Sequence, residues 1–156
     1  MTIRYSNIAA DIKTRLEAVP GSGIIHIYER QAVDLAKFIG LFKDGSGRIL
    51  GWEITRKSVM EHQQGIVFRH HAMMLHGYMG LQDAAASGVL FQDLCDTICD
   101  AFRTAEPLSG SSWMYRNGDD PDKTPAQIEL IDDRMFGSVL CHHALISLSV
   151  TERIAI

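Results

Sequence analysis

The chain has 156 residues, 46% hydrophobic and 22% charged, with a net charge of −4. That length fits one domain whose core needs no staples, and the acidic balance, with no Lys/Arg stripe, argues against a protein built to grip nucleic-acid phosphates. The first residues, MTIRYSNIAADIKTRL, hold no apolar signal core, and no apolar run approaches the roughly 18 residues that span a bilayer, so a soluble cytoplasmic protein with no membrane partner is expected.

Residues 6–19 predict a helix. Ile8, Ile12 and Leu16 recur every fourth position, Ser6 offers an N-cap, and Pro20-Gly21 stops it. GIIHIY (23–28) predicts a short strand, in which His26 reads as a strand-face histidine rather than a ligand. Residues 44–47, DGSG, are turn chemistry, so 37–43 and 48–60 predict a hairpin with Leu50, Trp52 and Ile54 on its apolar face. A strand at 66–78 follows, with mixed residues on both faces, a pattern expected of a strand covered on both sides.

Small residues from Gly80 to Ser87 lead into a helix at 88–104. Ser87 is its candidate cap, and Phe91, Leu94, Cys95, Ile98 and Phe102 are its apolar stripe. Residues 104–124 are turn-rich. Strands at 126–133 and 138–154 close the chain, the last turning Leu140, Ala144, Ile146, Leu148 and Val150 toward the helices. The expected fold is α+β: one domain over 1–156, a mostly antiparallel sheet with two helices packed on one face, in the order α-β-β-β-β-α-β-β.

No catalytic motif stands out, and no cofactor is expected. His70-His71 and His142-His143 are adjacent pairs, and neighbours on a strand point to opposite faces, so one pair cannot chelate one metal. If their strands lie side by side, His70 with His142, or His71 with His143, would meet. That makes His70 and His142 weak metal candidates, as are Asp119, Asp120 and Asp122 in a turn-rich loop without EF-hand spacing. Three cysteines, Cys95, Cys99 and Cys141, make no disulfide framework and point to a reducing compartment. Cys95 and Cys99, at i and i+4, read as core packing. Met73, Met74 and Met79, with Tyr78, read as core or subunit-contact residues. The 104–124 loop and the 58–66 connection, long and polar, are the expected contact regions, with Met60, His62, Gln63, Trp113, Tyr115, Arg116, Asp119 and Asp120 as interface candidates.

The order of elements resembles the tail terminator and minor tail (head–tail completion) proteins of long-tailed bacteriophages. The resemblance rests on the helix NIAADIKTRLEAVPG before a short strand, the long strand IVFRHHAMMLHGYMG running through small residues into VLFQDLCDTICDAFR, and the closing pair IELIDD and LCHHALISLSVTERI. It implies a structural phage or prophage protein without enzyme activity, a hexameric ring at the end of the tail tube that ends tail assembly and joins tail to head. Its partners would be copies of itself, the tail-tube protein and head-completion proteins. It would be cytoplasmic during assembly and then part of the virion tail. Two other classes share parts of the pattern. Small acidic dimeric secretion chaperones have a similar order of elements, and an α+β enzyme or ligand binder would need a pocket among His70, His76 and His142.

Overall fold

The structure is a computed structural model, and residues 4–27, 35–45, 47–82, 86–103, 107–109, 112–114, 124–136 and 138–154 are described. Ten elements follow in order: α1 (Tyr5–Glu17), β1 (Ile24–His26), α2 (Leu35–Phe42), β2 (Leu50–Gln63), β3 (Val67–Gly80), α3 (Ser87–Phe102), β4 (Pro107–Ser109), β5 (Ser112–Met114), β6 (Ala126–Phe136) and β7 (Val139–Ile154). One sheet runs β1-β2-β3-β7-β5-β4, with β6 also paired to β7. The long strand β7 therefore serves two neighbours on one side: β6 along Val139–Leu148 and β5 along Val150–Glu152.

The expected fold class is corrected. The sheet is mixed, because β1 runs parallel to β2, and it curls into a half-barrel. Strand predominates, and there are three helices, not two. Residues 37–42 of the predicted strand lie in helix α2 and Lys43 alone bridges to Ile49, so DGSG joins a helix to a strand instead of two strands. The turn itself forms, with the Arg48 amide bonded to Asp44 Oδ1 at 3.0 Å and the Gly47 amide to the Asp44 carbonyl at 3.0 Å. Two short strands, β4 and β5, lie in the stretch read as loop.

Two aromatic side chains seated on glycines fix which helix covers which face. Trp52 is fully buried and stands opposite Gly77 on β3. A Cβ at Gly77 would collide with the Trp52 ring, so glycine lets the indole lie flat across the neighbouring strand and reach Phe91 of α3, 6.0 Å between centroids. On this face α1 contributes Ile8, Ile12 and Leu16, and α3 contributes Phe91, Cys95, Ile98, Cys99 and Phe102. On the opposite face a Cβ at Gly51 would collide with Phe42, which places the end of α2 there. Phe42, Tyr78 and Cys141 form a second, smaller cluster, with Leu41, Ile49, Phe136 and Val139 against it. The helices thus cover both faces, and the long strand with two mixed faces is covered within its own chain at this end.

Other details differ from expectation for local reasons. Arg4, not Ser6, stands at the N-cap of α1, and Asn7 at the third helical position closes a capping box, its Oδ1 accepting the Arg4 amide at 3.1 Å. A bulge between Arg56 and Ser58 exchanges the faces of β2 beyond that point. Leu140 points to the helix face but lies past the end of the core, and is 41% exposed. Among the described residues no helix is long and apolar enough to cross a membrane. Gly77→Val should destabilise the fold by about 1–3 kcal/mol through overpacking against Trp52, read from the denaturation midpoint. A neutral result would remove Trp52 from its place across β3.

Candidate functional site

The histidine pairs do not meet. β3 and β7 are neighbours, but His70 stands opposite Thr151 and His71 opposite Val150, whereas His142 and His143 stand opposite Met79 and Tyr78. The antiparallel register puts the pairs at opposite ends of the strands, about 30 Å apart at ~3.3 Å per residue. Among the described residues no group of three or more His, Cys, Asp or Glu could hold a metal. Asp119, Asp120 and Asp122, with the interface candidates Tyr115 and Arg116, lie outside the described residues.

Each histidine has its own partner. At the end where α3 begins, His142 Nδ1 lies 2.6 Å from Asp133 Oδ1 on β6, and its Nε2 lies 2.8 Å from Ser87 Oγ. A carboxylate only accepts, so in the neutral ring Nδ1 donates to Asp133 and Nε2 accepts the serine hydroxyl. Ser87 Oγ also accepts the Gln82 amide at 2.8 Å. The residue before it, Ala86, has φ 51°, a left-handed conformation that non-glycine residues rarely adopt. The bonding order serine–histidine–aspartate is that of a charge-relay nucleophile. Its surroundings are those of a strut: Ser87 is 3% exposed, both hydrogen-bonding roles of its hydroxyl are taken, and the His142 ring stacks on Phe91 at 6.0 Å. A nucleophile needs an open side where the reacting carbon can sit.

On the opposite face His143 bonds Asp132 at 2.9 Å and packs beside Tyr78 and Phe136. Burial works to raise the Asp132 carboxyl, but hydrogen bonds from Arg134 and His143 outweigh it and hold it below its usual range. His26 is tied to the Leu41 carbonyl at 3.0 Å, and His76 to Thr55 Oγ1 at 3.2 Å. Glu53 is buried in the same region, between His26 and His76 by register.

At the far end of the core face, buried Glu152 Oε2 takes His71 Nε2 at 3.1 Å and Arg69 at 3.4 Å, and Arg69 reaches on to Glu61 at 2.7 Å. His71 Nδ1 and Glu152 Oε1 find no partner among the described residues. Burial pushes the His71 imidazole below its usual value, against the upward pull of Glu152, with Arg56 and Arg69 also pushing down.

The buried cysteines are not reactive groups. Burial pushes the Cys95 thiol up to about 12 and the Cys141 thiol up to about 11, and it raises Cys99 as well.

No protein-family model matches the sequence, and no curated protein matches it. Geometry and sequence pattern therefore carry the functional reading.

The largest feature not absorbed by the core is the far half of the β2–β3 hairpin. From Arg56 to Gly65 every residue is exposed. β2 pairs with β1 only at Gly51–Glu53, so beyond that its outer side has no strand among the described residues. Of the interface candidates, Met60 is 71% exposed on this arm, and His62 and Gln63 are exposed beside it. Trp113 is half-buried on β5. His62 stacks on Phe68 and on His70, whose Nε2 lies 3.1 Å from His62 Nδ1. The face exchange at the bulge turns Met60 and His62 together to the side of Phe68 and His70, which parity counting from Trp52 on an unbroken strand would have missed.

Ser87→Ala leaves the Gln82 amide and His142 Nε2 without the hydroxyl, and should cost about 1–3 kcal/mol of stability, measured by denaturation. An unaltered midpoint would contradict its role as a strut. The folded His71 pKa lies below the unfolded value, so this group's stability contribution is complete above pH ~6.5 and is lost as pH falls through the folded value. Thermal midpoints from pH 7.5 to 5 should fall, and His71→Gln should flatten the slope. An unchanged slope would show that another group carries it.

Proposed function

We propose that this chain is a structural phage or prophage tail protein, a subunit of a ring at the end of the tail tube that ends tail assembly and joins tail to head. The observation that carries the reading is the arm: ten consecutive exposed residues of a long hairpin that extends past its own core and keeps one strand edge unpaired among the described residues. A protein that acts alone hides or shortens such an edge, whereas a protein that assembles presents it. The curled sheet supports the same reading, since copies joined side by side along a curved sheet turn as they add. The run from long strand through small residues to helix, then closing antiparallel pair, is the pattern of the tail-terminator resemblance.

In this reading the chain is not an enzyme and needs no cofactor. Its partners are its own copies, the tail-tube protein and head-completion proteins. It is made in the cytoplasm and ends in the virion tail. A second reading, a serine hydrolase, is favoured by the Ser87–His142–Asp133 bonding order alone. Labelling of Ser87 by a fluorophosphonate, lost in Ser87→Ala, would select it.

Light scattering on a sizing column, across protein concentration and with added magnesium, tests the ring. Six copies at high concentration is the expected result. A tight dimer at every concentration would move the assignment to an interaction protein of the secretion-chaperone type, and a monomer under every condition would contradict self-assembly.

A further inference from the structure

Six large hydrophobic side chains among the described residues are exposed, and they fall into two groups. Val59 and Met60 stand on the arm, 38% and 71% exposed. Val89, Leu90, Met135 and Leu140 stand at the other end of the sheet. Met135 and Leu140 are opposite each other on β6 and β7, two residues along the same face from the Asp133–His142 pair. Val89 and Leu90 lie in the first turn of α3, whose Ser87 is bonded to that same His142. Met60 stands opposite His70, itself opposite Thr151, so eleven residues of β7 separate the level of Met60 from Leu140. That is about 35 Å at ~3.3 Å per residue, so one copy cannot cover one group with the other.

Charge divides the same way. The arm, residues 55–69, carries Arg56, Lys57 and Arg69 against one acid, Glu61. Glu61 is engaged by Arg69. The other end, residues 129–140, carries Glu129, Asp132 and Asp133 against one base, Arg134, which is engaged by Asp132. Lys57 is exposed at the bulge, and the Asp133 side chain is 57% exposed. Arg56 sits over the Tyr5 ring at 4.6 Å.

We propose that the arm of one copy docks on the acidic, apolar end of the next copy, Met60, the most exposed side chain of the arm's apolar pair, meeting the patch of Met135, Leu140 and the first turn of α3, with Lys57 facing Asp133. The inference rests on the ring reading and says which two surfaces make the ring. Two different surfaces at opposite ends form a heterologous contact, which repeats head to tail and closes when the rotation per copy closes. A two-fold pair could place each arm on the other copy's end as well, but it uses up both surfaces at two copies, so the mass of the wild-type assembly separates it from a head-to-tail ring.

Two double variants test it: an arm variant, Val59→Asp with Met60→Asp, and an end variant, Met135→Asp with Leu140→Asp. All four positions are exposed, and melts near the wild-type midpoint check folding. If either double variant unfolds, the milder Met60→Ser and Leu140→Ser replace it. Each variant alone should raise the concentration for half-assembly roughly tenfold or more, as expected for losing one buried apolar contact. Mixed in equal amounts, the two have one intact junction between them, the arm of the end variant on the end of the arm variant. The mixture should give a heterodimer and nothing larger. Wild type that assembles while either variant assembles equally well would overturn the docking and leave the ring reading standing. Two disabled variants that form no heterodimer would overturn the head-to-tail pairing. Wild type that stays a monomer at every concentration would remove the ring reading and this inference with it.

Discussion

The molecule depends on the pairing of β3 with β7. The two strands are antiparallel without a break from Val67 opposite Ile154 to Gly80 opposite Cys141. A shift of β3 by one residue against β7 would turn Met73 and Leu75 out of the core and bring Ala72 and Met74 in, while Ala144 and Ile146 stay. The same register brings Arg69 opposite Glu152 and keeps the two histidine pairs at opposite ends. It also sets the length of the arm, because β3 begins where the core has already ended.

The polar groups fixed by that register serve to hold elements together. Ser87, His142 and Asp133 come from the start of α3, from β7 and from β6, and their two hydrogen bonds tie a helix end to two strands. His71, Arg69 and Glu152 tie β3 to the end of β7 beside β5. Buried groups of this kind are costly unless paired, and removing one partner is worse than never having had the pair. This explains how a chain with seven histidines has no cluster fit for a metal among the described residues. All seven are engaged by a backbone carbonyl, a hydroxyl, a carboxylate or one other imidazole, and none gathers with others around a common centre.

Much of the scaffold was legible from periodicity. The Ile8–Ile12–Leu16 stripe, the buried Leu50–Trp52–Ile54 face, the Phe91–Cys95–Ile98–Phe102 stripe and the long closing strand are all present. Helix α2 was missed because a short apolar run such as LAKFIGLF has no polar face to reveal its period, and helix and strand read alike there. The mixed character of the sheet turns on three residues of β1 pairing parallel to β2, a long-range choice that local pattern does not carry. Of the site, the exposure of Met60, His62 and Gln63 was legible from polarity and turn chemistry. The bond between Ser87 and His142, 55 residues apart, was not, because it depends on where α3 begins over a register that sequence spacing leaves open. Leu140 fits the inward parity of its strand yet is exposed, since parity gives direction and not the place where the core stops.

A head-to-tail ring has a definite shape. Class averages from electron microscopy of the purified chain, at a concentration where it assembles, test that most directly. Closed rings, with each subunit joined to the next by an arm reaching from one end of its sheet, are the predicted result. Two-fold dimers, or open filaments that never close, would contradict it.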